Sequence, residues 1–255
     1  MLSLAAGTVL DVSAAQAIDA AQGAGFDACG LRPTADELAP ERLVQLRQRL
    51  DDSGLTLLDV EVVRLHGLDD ATAHLRLLDA AAVLGAGHVL AVSEHLEHGA
   101  TVEAVAWLAE QAVQRGVRVA LEFMVFTSVR SLGEALRVIA DAETRHVGVL
   151  VDALHLERSG GTPQDLARIP AGQLAYVQLC DAGHEAPADL ADEARHHRLL
   201  PGDGALPLVA LAQAAGRAVP LSIEVQSDEL AATTSAETRA GRALAQTRRL
   251  LRPEK

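Results

Sequence analysis

Short apolar runs alternate with longer segments rich in Ala, Leu, Arg and Glu along the whole sequence. The clearest run, Val147-Gly-Val-Leu-Val151, is too short and too β-branched for a helix, so it predicts a buried parallel strand. Similar runs recur at intervals that leave room for about one helix between neighbours, which is typical of strand–helix–strand units. The alternation therefore favours folds in which helices cover a parallel sheet.

The sequence predicts eight strands, over residues 4–10, 26–31, 55–63, 87–92, 117–122, 147–152, 174–181 and 220–224. Helices are predicted over 14–24, 40–52, 71–84, 102–115, 131–142 and 236–251. Gly25 and Gly54 end the first two helices. The last helix is predicted to expose Arg239, Arg242, Arg248 and Arg249.

Eight strands in 255 residues match a (β/α)8 TIM barrel, predicted as one domain over 1–255. A doubly wound open sheet is the alternative. It lacks support because no GxGxxG follows the first strand and no GxxxxGK(S/T) occurs in the sequence.

The charge balance disfavours some classes of partner. A formal net charge of −13 argues against nucleic acid, whose phosphates are bound by clustered Lys and Arg. No apolar run approaches the ~20 residues that a membrane span needs, and the N-terminus lacks the basic residues and apolar core of a secretory signal. We therefore expect a cytoplasmic protein that binds a small molecule, with no nucleic acid and no membrane partner.

Other features bear on the core and on specificity. Cys29 and Cys180 lie in apolar runs without CxxC spacing, so they are predicted to be buried thiols. Residues 182–204 form a segment that is long for a strand–helix loop and rich in His, Asp, Arg and Pro, and such loops usually carry specificity. Phe123 and Phe126 follow the fifth strand and are predicted either to form a wall beside the substrate or to cap the barrel as core.

Polar side chains stand near the carboxyl ends of the predicted strands, where a (β/α)8 barrel forms its active site. They are Glu61, Glu122, Asp152, Gln178, Asp181 and Glu224. Carboxylates that share one barrel mouth repel one another unless a cation is present, and an oxygen set of this kind suits Mg²⁺ or Mn²⁺. Each residue also has a structural alternative: Asp152, for example, could cap the next turn while His155 covers the rim.

The order of these motifs resembles the xylose isomerase-like barrels of the sugar phosphate isomerase/epimerase family. The motifs are Glu122 after a strand, Asp152-Ala-Leu-His155, Tyr176-Val-Gln178-Leu-Cys-Asp181, Arg198-Leu-Leu-Pro201-Gly-Asp-Gly204 and Ile223-Glu224. The resemblance implies one divalent metal ion, Mn²⁺ or Mg²⁺ in preference to Co²⁺ or Zn²⁺, with the ligands Glu122, Asp152, Gln178 and Glu224. It also implies substrate contacts from His155 and Arg198, and proton transfer by Glu122 and Glu224. Many epimerases of the family have His where this chain has Gln178, whereas its hydroxypyruvate isomerase and 3-dehydroshikimate dehydratase branches have Gln.

These groups suit removal of a proton next to a carbonyl, with a metal ion holding the enediolate that forms. The predicted function is a metal-dependent isomerase or epimerase of sugars or sugar-like hydroxy-ketones, with Glu122, Glu224 and His155 as catalytic residues. The first alternative is a dehydratase (lyase) of a cyclic hydroxy-ketone such as 3-dehydroshikimate or an inosose. His155, His184 or His197 could supply the extra acid that dehydration needs. The second alternative is a non-catalytic sugar-binding barrel.

The expected partner is a small polyhydroxy-carbonyl substrate. The predicted substrate contacts are Arg198, His155, Glu61, Asp181 and Arg32. Arg32, Arg64 and Arg198 are the candidates to hold a phosphate or carboxylate group. The family resemblance also implies a homo-oligomer, either a dimer or a tetramer.

Overall fold

Eight parallel strands form a closed barrel in a computed structural model, which describes residues 1–66, 71–94 and 96–252. The strands follow chain order, and the last pairs with the first, so the sheet closes on itself. They are β1 (Leu2–Leu4), β2 (Ala28–Leu31), β3 (Thr56–Leu65), β4 (His88–Ser93), β5 (Arg118–Glu122), β6 (Val147–Asp152), β7 (Leu174–Leu179) and β8 (Leu221–Ile223). The predicted (β/α)8 barrel is confirmed; positions 67–70, 95 and 253–255 of the predicted domain lie outside the described residues.

Helices follow the strands and cover the outside of the barrel. They are α1 (Ala14–Ala24), α2 (Pro40–Ser53), α3 (Ala71–Leu84), α4 (His98–Val113), α5 (Leu132–Asp141), α6 (Ala153–Arg158), α7 (Leu190–His196), α8 (Leu208–Ala215), α9 (Asp228–Thr233) and α10 (Ala236–Leu250). Gly25 and Gly54 end α1 and α2 with φ values of 86° and 70°, as their positions in the sequence predict. Within residues 1–66, 71–94 and 96–252, no helix is long and apolar enough to cross a membrane.

The core has two parts. A large cluster lies between the strands and the surrounding helices, and it includes both buried cysteines, Cys29 and Cys180, as predicted. A smaller cluster is made only of strand residues, among them Leu58, Leu150 and Tyr176, and it fills the inside of the barrel. The Tyr176 hydroxyl donates a hydrogen bond to Asp59, which joins β7 to β3 inside the barrel.

The first strand is shorter than predicted. Residues 4–10 were expected to be extended, but β1 ends at Leu4, and Ala6–Val9 form a 3-10 turn. The Thr8 hydroxyl explains the turn: it donates to the Ile223 carbonyl at 2.8 Å and accepts from the Val225 N–H at 3.0 Å. The turn thereby fastens the start of the chain to the end of β8.

The prediction that Arg239 is exposed is wrong. Its side chain is 1% exposed, and its guanidinium donates to the Thr8 carbonyl at 3.2 Å and the Thr234 carbonyl at 2.7 Å. It also forms an ion pair with Asp11. These partners satisfy a charge that α10 buries against the 3-10 turn.

Candidate active site

Three acidic side chains converge at the carboxyl end of the barrel. Glu122 ends β5, Asp152 ends β6, and Glu224 directly follows β8. One oxygen atom from each of the three carboxylates lies within 4.8 Å of the others, and all three side chains are buried. The structure thus brings together three of the four predicted metal-binding residues through their carboxylates.

Asp152 has a structural role as well as a place in this cluster. Its Oδ1 accepts a hydrogen bond from the His155 backbone N–H at 3.0 Å, so it caps α6. Its Oδ2 accepts from Arg198 Nη1 at 2.7 Å. The cap and a place in the cluster are therefore not alternatives, because Asp152 caps α6 and also belongs to the group of three carboxylates.

Gln178, the fourth predicted ligand, is paired in register with Asp152 on the neighbouring strand. It is fully buried, and neither atom of its amide has a hydrogen-bond partner among the described residues. Glu122 Oε1 is also without such a partner. Buried polar atoms are normally satisfied, so an unpartnered amide on the strand next to Asp152 and an unpartnered oxygen of Glu122 fit the oxygen ligands that a hard divalent ion requires.

Arg198 joins two of the acids. Its Nη1 lies 2.7 Å from Asp152 Oδ2 and 3.2 Å from Glu224 Oε2, and its Nε donates to the Ala194 carbonyl at 2.7 Å. Burial opposes the charge, but Asp152 and then other neighbours outweigh it and raise the pKa of Arg198 well above its ordinary value. The guanidinium is therefore a permanent positive charge within the cluster.

Burial controls the proton affinity of these carboxylates. It raises the pKa of Glu122 well above its ordinary value, and Glu224 and Asp152 add to the effect. It raises the pKa of Glu224 to about 7, although Arg198 acts in the opposite direction. Burial also acts to raise the pKa of Asp152, but Arg198 and His155 outweigh it and lower that pKa. A bound cation would offset the burial and the mutual repulsion that raise the pKa values of Glu122 and Glu224.

His155 lies beside the acid cluster in the first turns of α6. Its Nε2 is 3.9 Å from Glu122 Oε1 and 3.4 Å from Arg198 Nη2. Burial lowers the pKa of His155 to about 4, although Asp152 opposes the change. The imidazole is therefore neutral at pH 7, and its Nε2 accepts from Arg198 while lying near Glu122.

A cavity of about 330 Å³ opens above the acid cluster, and several predicted residues line it. Glu122, Glu224, His155 and Arg198 line its floor, and Arg32 and Glu61 line it as an ion pair of 3.1 Å. Arg64 also lines the cavity but is paired with Glu94. A volume of this size suits a small cyclic or short-chain molecule.

The structure does not bring every predicted residue to this cavity. Asp181 is buried beneath the loop, where its carboxylate accepts the backbone N–H groups of Ala182, Gly202 and Leu206 at 2.8–2.9 Å. It holds the loop in shape, so its predicted substrate contact is corrected. His184 and His197 do not line the cavity either, and His197 is paired with Asp192 at 3.0 Å.

The two phenylalanines divide between the two predicted roles. Phe123 is fully buried in the core, whereas Phe126 is partly exposed and lines the cavity. The rings of Phe126 and His155 meet edge to face, and their centroids are 5.6 Å apart. Phe126 is therefore the apolar wall beside the catalytic candidates.

Some lining residues were not predicted. Arg195, His196, Gln226 and Asp228 all face the cavity. Arg195 and His196 end α7, which forms inside the irregular segment 182–204. Arg195 and His196 lie close to Arg198 in the sequence, which indicates a place near the same site. The sequence pattern, however, predicts no helix in this segment.

The fold and the acid cluster define a class of (β/α)8 barrel with a site that could bind a metal ion. The chain belongs to the xylose isomerase-like TIM barrel family, whose sequence profile matches residues 18–252. This membership confirms the resemblance found in the sequence motifs.

Individual relatives have more than one activity. The chain is 33% identical over 125 residues to a 3-dehydroshikimate dehydratase of Pseudomonas aeruginosa, a match that covers 48% of this chain and 20% of that protein. Its structure is similar to the IOLI protein with a binding zinc atom, at a TM-score of 0.85 and 19% identity over 98% of this chain and 97% of that one. It is also similar to D-psicose 3-epimerase, at a TM-score of 0.76 and 16% identity over 98% of this chain and 99% of that one. The two structural similarities concern the fold alone.

Proposed function

We propose that the protein is a divalent-metal-dependent dehydratase that removes water from a small cyclic hydroxy-ketone such as 3-dehydroshikimate. The observation that carries the proposal is the cluster of Glu122, Asp152 and Glu224, whose oxygens lie within 4.8 Å of one another beside the unpartnered amide of Gln178. Acids in this arrangement suit proton transfer next to a carbonyl. A barrel that only binds a sugar has no need of so many buried carboxylates.

The proposed metal ligands are Glu122, Asp152, Gln178 and Glu224, as the sequence predicts. Mn²⁺ and Mg²⁺ are the preferred ions because all four residues offer oxygen. A bound divalent ion would act as a Lewis acid and stabilise negative charge on the carbonyl oxygen of the substrate.

The acid–base roles follow from the neighbours of the two glutamates. Glu224 lies 3.2 Å from Arg198, which favours its ionised form, so Glu224 is the base that removes the proton next to the carbonyl. Glu122 shares its side of the site with His155, and this pair delivers a proton to the hydroxyl that leaves from the adjacent carbon. The carbon–hydrogen and carbon–oxygen bonds break, a carbon–carbon double bond forms, and water leaves.

Two similarities favour dehydration over the other outcomes. The curated relative that matches about half of this chain is a 3-dehydroshikimate dehydratase. Gln178 is the residue that the family's dehydratase and hydroxypyruvate isomerase branches both have at this strand end, so it favours dehydration over epimerisation. Because the match covers a fifth of that relative, its activity is transferred here only as a proposal.

Epimerisation or isomerisation of a sugar is the second candidate. Glu122 and Glu224 come from β5 and β8 and meet in one cluster, as two groups must if they exchange a proton with two faces of one carbon. Returning the proton to carbon instead of oxygen would give these reactions. A homo-oligomeric assembly and a cytoplasmic location stay predictions.

Deuterium exchange tests the proposal. The Mn²⁺-loaded protein would be incubated in D₂O with 3-dehydroshikimate, an inosose, hydroxypyruvate and small ketoses, and followed by NMR. We expect metal-dependent loss of water from 3-dehydroshikimate to 3,4-dihydroxybenzoate, slowed at least about 100-fold in Glu224→Gln. Glu229→Gln, at an exposed position of α9, is the matched control and should be fully active.

Other results of the same experiment separate the candidates. Exchange into a ketose without loss of water would favour the epimerase or isomerase. No exchange and no product with any compound would contradict both candidates.

A further inference from the structure

Arg195 stands over an aromatic ring at the mouth of the cavity. Its guanidinium carbon is 5.4 Å from the centroid of the Phe126 ring, and Phe126 contacts the His155 ring in turn. A single aromatic ring therefore separates the guanidinium from a catalytic candidate.

Contacts made by Asp189 and Glu193 hold α7, and with it Arg195, in place. Asp189 caps α7 by accepting the N–H groups of Ala191 and Asp192. The buried Glu193 accepts two hydrogen bonds from Arg158, at 2.7 and 2.8 Å. These anchors hold the exposed side chain of Arg195 at the rim, although it lies within a long loop.

Arg195 differs from the other arginines that line the cavity. Arg32 is paired with Glu61, Arg64 with Glu94, and Arg198 with Asp152 and Glu224. The part of the chain that the structure describes offers Arg195 no carboxylate partner and no hydrogen bond, only the Phe126 ring. Its donors are free to bind a ligand.

The charges of the site indicate which ligand this is. Arg198 is balanced by Asp152 and Glu224, and Arg32 and Arg64 are balanced by their own partners. Among the described residues that line the cavity, Arg195 then remains as the arginine without a carboxylate partner. Asp228, the nearby acid of the rim, is bound to His196 at 3.2 Å and would repel a doubly charged group.

We infer that Arg195 binds a carboxylate of the substrate and so selects a hydroxy-ketone acid over neutral inososes, neutral ketoses and sugar phosphates. The inference rests on the proposed function and narrows its substrate class. A guanidinium binds a carboxylate through two parallel hydrogen bonds, which also fixes the orientation of the ring that carries it. The Phe126 ring contacts the guanidinium without using any of its N–H donors, so these stay available for this pairing.

Ligand binding without turnover tests the inference. The Mn²⁺-loaded protein would be titrated calorimetrically with shikimate, methyl shikimate and inorganic phosphate. We expect shikimate to bind about 10- to 100-fold more tightly than its neutral ester, as a hydrogen bond to a charged group predicts. Arg195→Gln should remove this preference, and Arg195→Lys should restore part of it.

The control is Arg168→Gln, which makes the same change at an exposed arginine outside the cavity and should keep the preference. An equal preference in Arg195→Gln and wild type would overturn the inference. So would a wild-type protein that binds none of the probes, or phosphate binding that is tighter than shikimate binding and depends on Arg195.

Failure of the inference is distinguishable from failure of the proposed function. If 3-dehydroshikimate is dehydrated with the same KM by Arg195→Gln and wild type, the function stands and the inference is wrong. If nothing is turned over but the preference for shikimate depends on Arg195, the inference stands and the proposed reaction is wrong.

Discussion

Gly7 lies directly against the side chain of Glu224. A Cβ atom at residue 7 would be 2.7 Å from Glu224 Cγ and 2.9 Å from Cδ, distances that real Cβ atoms do not reach. Any larger residue here would push the carboxylate out of its place in the acid cluster. The lack of a side chain at Gly7 thus helps to position the carboxylate of Glu224.

We therefore expect Gly7→Ala to weaken Mn²⁺ binding by about 10- to 100-fold, the usual cost of disturbing a group that supports a metal ligand. Calorimetric titration of the metal-free protein measures the affinity. Gly23→Ala, at a helical position with open space around it, should bind Mn²⁺ as the wild type does. Wild-type affinity in Gly7→Ala would show that Glu224 is not held in place by this contact.

Gln178→Met should weaken metal binding without destabilising the metal-free protein. Both polar atoms of the Gln178 amide are buried without partners among the described residues, so replacing the amide with a thioether of similar shape should not destabilise the metal-free protein. The same change removes a proposed ligand and should lower Mn²⁺ affinity about 10-fold or more. Thermal unfolding with and without Mn²⁺ measures both effects, and an equal gain from Mn²⁺ in variant and wild type would argue against ligation by Gln178.

His88 makes the stability of the barrel sensitive to acid. The residue begins β4, its ring packs against Tyr176, and Nδ1 is 3.3 Å from the Leu58 carbonyl. Burial lowers its pKa from 6.5 to about 4. The neutral form is preferred in the folded state, so its contribution to stability is complete above pH 6.5 and is lost as the pH falls towards 4.

Urea unfolding at pH 7 and pH 4.5 measures this loss. Between pH 7 and pH 4.5, the free energy of unfolding of His88→Gln should fall by about 2 kcal/mol less than that of the wild type. This figure is smaller than the full pKa shift would give, because the ring is partly exposed. His146→Gln, at an exposed position, should behave as the wild type. Equal acid sensitivity in all three proteins would contradict a role for His88.

Arg239→Met should destabilise the fold much more than Asp11→Asn. Arg239 is 1% exposed and satisfies two backbone carbonyls, whereas Asp11 is 45% exposed and can be solvated. Replacing Arg239 leaves those carbonyls and Asp11 without their donor. We therefore expect the free energy of unfolding to fall by about 3–5 kcal/mol. The free energy of unfolding in urea decides the question, and equal losses in the two variants would contradict this assignment.

Much of the barrel and of the acid cluster could be predicted because the signals are local. An apolar run such as 147–151 specifies a strand, and the acid that follows it must lie at the strand's carboxyl end. Helix ends at Gly25 and Gly54 are local for the same reason. Glu122, Asp152 and Glu224 could therefore be assigned to one mouth without knowledge of their neighbours.

The errors concern residues whose partners are distant in sequence. Thr8 bonds to Ile223, 215 positions away, so the turn at Ala6–Val9 had no local sign. Arg239 looked like a solvated residue of an amphipathic helix because its partners at Thr8 and Asp11 belong to the first turn of the chain. Asp181 shares the strand-end pattern of the true cluster members, and only the path of the 182–204 loop shows that its carboxylate serves backbone groups.

Because β8 is the last strand, the acidic residues of the site are not all synthesised until the barrel can close. During synthesis the chain acquires Glu122 and Asp152 well before Glu224, which directly follows the last strand. The Arg239 contacts that fasten the 3-10 turn arrive later still. A chain that ends before β8 thus holds an incomplete acid set, because the segment that closes the barrel also carries Glu224.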